Sequence, residues 1–171
     1  MPSAARICLG IDPGLARVGY GVVAQEGARL SAVDYGCIET SPRSPFGHRL
    51  LEIYDELDRR VLDHAPDLLS VERLFFGRNV TTAAQVWQAR GVVMLLAARR
   101  GVPVLEPGPD QIKLALCGTG GADKVQVQRM VQRFLGLDRV PTPDDTADAL
   151  AAAVTGLTMD RASSRGAEGA P

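Results

Sequence analysis

The chain has 171 residues, of which 46% are hydrophobic and 23% charged, and its formal net charge is −1. This composition predicts one globular domain with a sizeable core. The longest apolar run, residues 92–98, is far shorter than the roughly 20 residues of a membrane span. The three cysteines are scattered among apolar neighbours, which argues against disulfides and a zinc site. Because no export signal is recognisable at the N-terminus, we expect a cytoplasmic protein.

The first forty residues predict three strands. Residues 7–11 alternate apolar and small side chains and end at Asp12, before Pro13 and Gly14. Residues 18–25 and 29–39 are rich in β-forming side chains, and a tight-turn signal at 26–28 separates them. Asp12 is either a functional acid at the rim of a sheet or an ordinary turn former.

The remaining elements alternate between helix and strand. Ser44 and Pro45 open a helix that Pro66 stops, and residues 67–71 form a strand that ends at Glu72. Further segments are predicted as a helix at 82–100, a strand at 102–105, a helix near 109–116, a glycine-rich loop at 118–121 and helices at 123–135 and 145–157. This order predicts an α/β fold with a mixed five-stranded sheet flanked by helices. Residues 1–158 then form a single domain, and residues 159–171 a disordered tail.

Four acids are candidates for shared chemistry. Asp12 and Glu72 end two strands, while Asp145 and Asp148 share one face of a helical first turn. Gathered together, four carboxylates would repel one another unless divalent cations lay between them, and their oxygens suit Mg²⁺ or Mn²⁺. The alternative is that the last two acids only stabilise the start of their helix. Asp144 also shares a face with Asp148, at i and i+4.

Charge is distributed unevenly along the chain. Residues 26–67 contain nine acidic side chains and five arginines, a net charge of −4, whereas residues 73–133 contain nine basic and three acidic side chains, a net charge of +6. Such an asymmetry indicates either a surface for a phosphate backbone or a solvated face with no partner.

Several motifs resemble the RuvC family of bacterial Holliday-junction resolvases. They are GIDPG at 10–14, GYG at 19–21, VER at 71–73 with Phe75 and Asn79, QARG at 88–91, KVQV at 124–127 and DTADAL at 145–150. The resemblance runs in order from Arg6 to about Thr155. It implies an RNase H-like fold, a homodimer and two Mg²⁺ ions per active site, for which Mn²⁺ can substitute.

The resemblance also implies roles for individual residues. The catalytic metal ligands would be Asp12, Glu72, Asp145 and Asp148, and the family motif favours Asp145 over Asp144. Lys113 and Lys124, the two lysines of the chain, match functional lysines near the scissile phosphate. Phe75 would stack on bases where junction strands part, or else belong to the core. Arg73 and Arg78 would contact phosphates.

The predicted activity is hydrolysis of four-way junction DNA by paired symmetric nicks. One ion would activate a water and the other would stabilise the leaving 3′-oxygen, giving 5′-phosphate and 3′-hydroxyl ends. Paired nicks need two sites related by a two-fold axis, and the all-round apolar second half of the 82–100 helix predicts a dimer contact. The RuvA and RuvB branch-migration proteins are expected partners, and a membrane is not.

Two other classes stay open. A nucleotide-binding enzyme of the actin and sugar-kinase type also begins with a strand, an Asp and a glycine turn, but its second phosphate motif is not visible here. A non-catalytic branched-DNA-binding module would bind junctions with or without Mg²⁺ and never nick them.

Overall fold

The computed structural model describes residues 5–74 and 80–168, with side chains described for 5–74 and 83–163. In these ranges the chain forms five strands and five helices. They are β1 (Arg6–Asp12), β2 (Arg17–Glu26), β3 (Arg29–Glu39), α1 (Phe46–His64), β4 (Leu68–Val71), α2 (Val80–Arg100), β5 (Val104–Leu105), α3 (Pro109–Cys117), α4 (Lys124–Leu135) and α5 (Asp144–Glu168). None of the helices in the described part is long and apolar enough to cross a membrane.

The strands form one mixed sheet in the order β3-β2-β1-β4-β5, which confirms the predicted sheet. β1, β2 and β3 are an antiparallel meander, and β1, β4 and β5 run parallel. In the parallel pair, Ile11 lies opposite Val71. Asp12, the last residue of β1, and Glu72, the residue after β4, therefore lie side by side at one end of the sheet.

The sheet separates two hydrophobic cores. Leu9 and Ile11 face the core that includes α1 and α2, whereas Cys8 faces the core of α3, α4 and α5. Because side chains alternate between faces along a strand, Gly10 and Asp12 lie on the same face as Cys8. Asp12 is thus directed to the face that α5 covers.

Helix α5 packs directly on the sheet backbone because glycines occupy the contact points. A Cβ atom added at Gly10 would overlap the carbonyl oxygen of Ala149, and one added at Gly19 would overlap that of Asp145. Glycine in a strand interior often marks such a close approach of another backbone. The two glycines therefore let the first turns of α5 reach the end of β1.

The ends of several elements differ from the predictions. Helix α1 begins at Phe46, and Pro45 is its N-cap in place of Ser44. Helix α2 begins at Val80, two residues before the predicted start at Thr82. These shifts of one or two residues leave the architecture unchanged.

The C-terminal segment also differs from the expected disordered tail. Helix α5 continues to Glu168, past the expected end at Leu157 and the domain boundary at 158. Asp160 pairs with Arg6 Nε at 2.7 Å, and Arg161 Nη1 donates a hydrogen bond to the Gly27 carbonyl at 3.3 Å. These contacts join residues 160 and 161 of the helix to the start of β1 and to the β2–β3 turn.

Candidate active site

Asp12 lies at the centre of a group of acids. Burial, and then the charges of Asp148, Asp145 and Glu72, raise the pKa of Asp12 from 3.8 to about 7. Burial is the larger cause, and the three charges act on Asp12 because their carboxylates lie near it. The structure therefore brings the four predicted acids together, from two adjacent strand ends and the first turns of α5.

The neighbouring carboxylates are perturbed in the same direction. Burial and the charge of Asp148 raise the pKa of Glu72, although Lys124 and Lys113 oppose this effect. Burial also raises the pKa of Asp148, against the hydrogen bond from Lys124. The region holds more negative charge than its own basic residues offset, as expected where cations are to be bound.

Two basic side chains contact the acids of α5. Lys124 Nζ donates hydrogen bonds to Asp144 Oδ2 at 2.7 Å and to Asp148 Oδ2 at 3.0 Å. Arg17 Nε lies 3.2 Å from Asp145 Oδ2, a buried oxygen with no hydrogen-bond partner of suitable geometry in the described part of the chain. The hydrogen bond with Asp144 raises the pKa of Lys124 and lowers that of Asp144.

The four acids are suitable ligands for a divalent cation, but their side chains are not arranged around a single ion position. Within residues 5–74 and 83–163, no three acidic, histidine or cysteine side chains converge closely enough to hold an ion as they stand. Two of the acids instead contact internal cations, Asp148 with Lys124 and Asp145 with Arg17. Hard carboxylate oxygens, one of them buried without a hydrogen bond, are nevertheless the ligands that Mg²⁺ and Mn²⁺ prefer.

A pocket of about 310 Å³ opens beside the acids. Its charged lining residues are Glu72, Asp123, Asp148, Lys113 and Lys124, and the rest of the lining is mostly apolar. Both lysines of the chain therefore line this pocket, and their role near a scissile phosphate stays a prediction. The two ammonium groups lie beside the acids in this pocket, where they can meet an incoming phosphate.

The predicted DNA contacts are only partly within the described residues. Arg73 is exposed directly after Glu72, and its backbone N–H donates to the Pro107 carbonyl at 2.8 Å. Phe75 and Arg78 lie outside the described residues, so their roles stay predictions.

Sequence reasoning missed the contributions of Arg17 and of the close glycine contacts, and it left Asp144 undecided. Arg17 gave no signal, because its contact with Asp145 depends on how α5 lies across β2. Gly10 and Gly19 did carry one, since a glycine inside a strand pattern often indicates close backbone approach.

Comparison with known proteins agrees with this geometry. The family model for the crossover junction endodeoxyribonuclease RuvC matches residues 8–156. The crossover junction endodeoxyribonuclease RuvC of Desulfitobacterium hafniense is 51% identical over 148 residues, covering 86% of this chain and 90% of that protein. The protein of the same name from Chloroflexus aggregans is 51% identical over 146 residues, covering 85% of this chain and 89% of the relative.

Solved structures give the same result for the fold. RuvC of Thermus thermophilus, in complex with a Holliday junction substrate, superposes with a TM-score of 0.89 at 38% identity and covers 92% of this chain and 96% of its own. The yeast mitochondrial Holliday junction resolvase, at 17% identity, superposes with a TM-score of 0.61 over 86% of this chain and 76% of its own. The latter shows the fold alone, and the predicted RNase H-like fold is confirmed. On the family match, the extent of identity and the superposition, the chain belongs to the RuvC family of crossover junction endodeoxyribonucleases.

Proposed function

We propose that this chain resolves four-way DNA junctions by hydrolysing one phosphodiester bond in each of two symmetric strands, with Mg²⁺ as its metal and Mn²⁺ as a substitute. The observation that carries the proposal is the meeting of Asp12 and Glu72, at adjacent strand ends, with Asp145 and Asp148 of α5. Membership of the family supports the class of reaction. The positions of these four acids support their assignment as the residues that bind the metal.

The four acids would hold the metal ions. Divalent ions there would supply Lewis-acid charge that stabilises the phosphate as negative charge develops on it. Asp12 and Glu72 are held by the parallel register of β1 and β4, and Asp145 and Asp148 by the contact of α5 with the sheet backbone. Rigid elements keep such a site within the tolerance that catalysis needs.

Basic and aromatic residues would position the DNA. Lys113 and Lys124 line the pocket beside Glu72 and Asp148, where an ammonium can meet a phosphate oxygen. We assign phosphate contacts to Arg73 and Arg78, and stacking on bases at the open junction to Phe75.

The helix α2 would form the dimer contact. Its Val93 and Leu96 are buried in the protomer, whereas Leu95 is 62% exposed. An exposed leucine beside a buried apolar face supports the interpretation that a second copy of the chain packs against it. Two active sites related by a two-fold axis would then nick two strands symmetrically. RuvA and RuvB, and a cytoplasmic location, stay predictions.

The distribution of charge argues against a module that only binds branched DNA. The acids face the polyanion that such a module would attract, and burial, followed by the charges of the neighbouring carboxylates, raises the pKa of Asp12 to about 7. Without metal, this arrangement costs both stability and DNA affinity.

Substitution of each acid by its amide tests the proposal. We expect Asp12→Asn, Glu72→Gln, Asp145→Asn and Asp148→Asn each to abolish Mg²⁺-dependent nicking of a synthetic four-way junction. Junction binding in EDTA should be unchanged or tighter, because each variant removes a charge that opposes phosphate. Asp63→Asn, an exposed acid on α1 at the other face of the sheet, is the control.

The outcomes separate the three classes. An acid whose amide variant nicks like the wild type is not a ligand, and four such results would refute the metal site. Junction binding without any nicking, in Mg²⁺ or Mn²⁺, would favour the binding module. ATP binding by the purified protein would favour the nucleotide-binding class.

A further inference from the structure

The ammonium group of Lys124 lies between two acids, one of which is outside the four proposed ligands. Its distances to Asp144 Oδ2 and Asp148 Oδ2 are 2.7 and 3.0 Å. Asp144 and Asp148 are one helical turn apart on α5, so a single cation can contact both. The Asp144 side chain is 51% exposed and that of Asp148 29%. Asp144 is therefore the outer contact and Asp148 the inner one.

The position of Lys124 in its own helix does not explain this contact. Lys124 is the first residue of α4, where the helix dipole disfavours a cation. The backbone there is fixed by a capping box, in which Gln126 N donates to Asp123 Oδ1 at 2.8 Å and Asp123 N donates to Gln126 Oε1 at 2.8 Å. The acids of α5 must therefore hold the ammonium, and only its flexible side chain is free to move.

Metal binding at Asp148 weakens the inner contact of Lys124. Under the proposed function, Asp148 binds a divalent cation, which repels an ammonium 3.0 Å from the same carboxylate. Asp148 then holds Lys124 less strongly than in the metal-free protein. Asp144, which the four-ligand set does not use, is the contact that can remain.

We propose that Asp144 is a positioning residue that keeps Lys124 at the mouth of the active site once metal occupies Asp148. This inference rests on the proposed function. The retained ammonium stays beside the pocket that Glu72 and Lys113 also line, within reach of an incoming phosphate. Without Asp144, the Lys124 side chain would keep only the weakened contact with Asp148 and sample solvent.

The chain suits a direct test because Lys113 and Lys124 are its two lysines. Protein labelled with ¹⁵N at the lysine side chains gives two ammonium signals, which Lys124→Arg assigns. In the wild type we expect the Lys124 signal to persist, as for an ion-paired ammonium, both in EDTA and in Mg²⁺. In Asp144→Asn the signal should persist in EDTA, where Asp148 still holds it, and broaden beyond detection in Mg²⁺. Lys113 is the internal reference.

Kinetics supply the second readout. We expect Asp144→Asn to lower kcat for junction nicking by about two- to fivefold, the range set by a solvent-exposed ion pair, with KM unchanged. Asp144→Glu should recover most of the loss. The control, Asp138→Asn, removes an exposed charge beyond the far end of α4 and should behave as the wild type.

Three results would overturn the inference. The first is a Lys124 signal that responds to Mg²⁺ in the same way with and without the Asp144 carboxylate. The second is wild-type kcat in Asp144→Asn. The third is complete loss of nicking in that variant, since this would make Asp144 a metal ligand. A wild-type protein that never nicks a junction refutes the proposed function instead, and that result is read before any Asp144 variant is compared.

Discussion

Replacing Asp12 by Asn should stabilise the metal-free protein, and the gain should grow with pH. Burial and three neighbouring acids raise the pKa of Asp12 from 3.8 to about 7 in the folded state. Between these values the folded protein binds more protons than the unfolded chain, so the free energy of unfolding falls as pH rises. Because Asn cannot ionise, the free energy of unfolding of the variant lacks this fall with pH.

The size of the effect follows from the displacement of the pKa. A shift of about three units corresponds to about 4 kcal/mol, which is an upper bound because Lys124 and the other acids can rearrange. The loss accumulates at up to about 1.4 kcal/mol per pH unit between about pH 4 and 7 and is complete above that range. For a chain of this size, each kcal/mol changes Tm by roughly 2–4 °C.

The assay is urea and thermal unfolding in EDTA at about pH 5 and about pH 8. We expect the free energy of unfolding of Asp12→Asn to exceed that of the wild type at both pH values. The difference should be larger at the higher pH. Added Mg²⁺ should raise the Tm of the wild type more than that of the variant, since ligands stabilise the state that binds them. Asp63→Asn, on the opposite face of the sheet, should show neither trend. A variant that is no more stable than the wild type at the higher pH would refute the electrostatic argument.

Three further predictions concern packing, DNA and assembly. Gly10→Ala should lower the free energy of unfolding by about 3 kcal/mol or more, as substitutions at other overpacked core sites do, because the added Cβ meets the Ala149 carbonyl. Urea unfolding measures this change. Gly47→Ala is the control, because a Cβ added there meets nothing within 4 Å. Phe75→Ala should weaken junction processing by the roughly 1–3 kcal/mol of a base stack with little change in Tm, whereas a large fall in Tm would make Phe75 a core residue. Ala84→Leu, at an exposed position of α2, should shift the dimer towards monomer in sedimentation, and a fully active monomer at micromolar concentration would contradict the dimer contact.

The sheet could be predicted because its strands carry local signals. Periodicity and turn residues placed β1, β2 and β3 to within about a residue, and the β2–β3 turn falls at Gly27, whose φ is 61°. The two-residue strand β5 was overestimated, since the apolar pattern of 102–105 does not show where pairing with β4 begins. Helix starts at Phe46 and Val80 were missed by one or two residues because cap signals compete over adjacent positions.

The candidate site was less accessible to sequence reasoning than the sheet. Strand-end acids can be recognised, and parallel pairing explains why Asp12 and Glu72 meet. The contribution of α5 depends on its contact with Gly10 and Gly19, a tertiary property with only an indirect signal. The contacts of Arg17 and Lys124 join elements far apart in the chain, so no local pattern could identify them. The resemblance to the RuvC family supplied what spacing alone left open.

Because α5 packs directly on the sheet, the candidate active site is sensitive to substitutions far from its four acids. Gly156 lies two turns beyond Asp148, about 12 Å along the helix, and a Cβ there would come within 2.7 Å of the Ser70 Cβ and 3.2 Å of the Cys8 Sγ. The Ser70 Cβ is fixed to its strand and cannot rotate away, so the helix itself must tilt or slide. A single methyl group at this distant point would therefore change the spacing between Asp148 and the strand-end acids. Such a substitution would alter cleavage while all four acids of this chain stay the same.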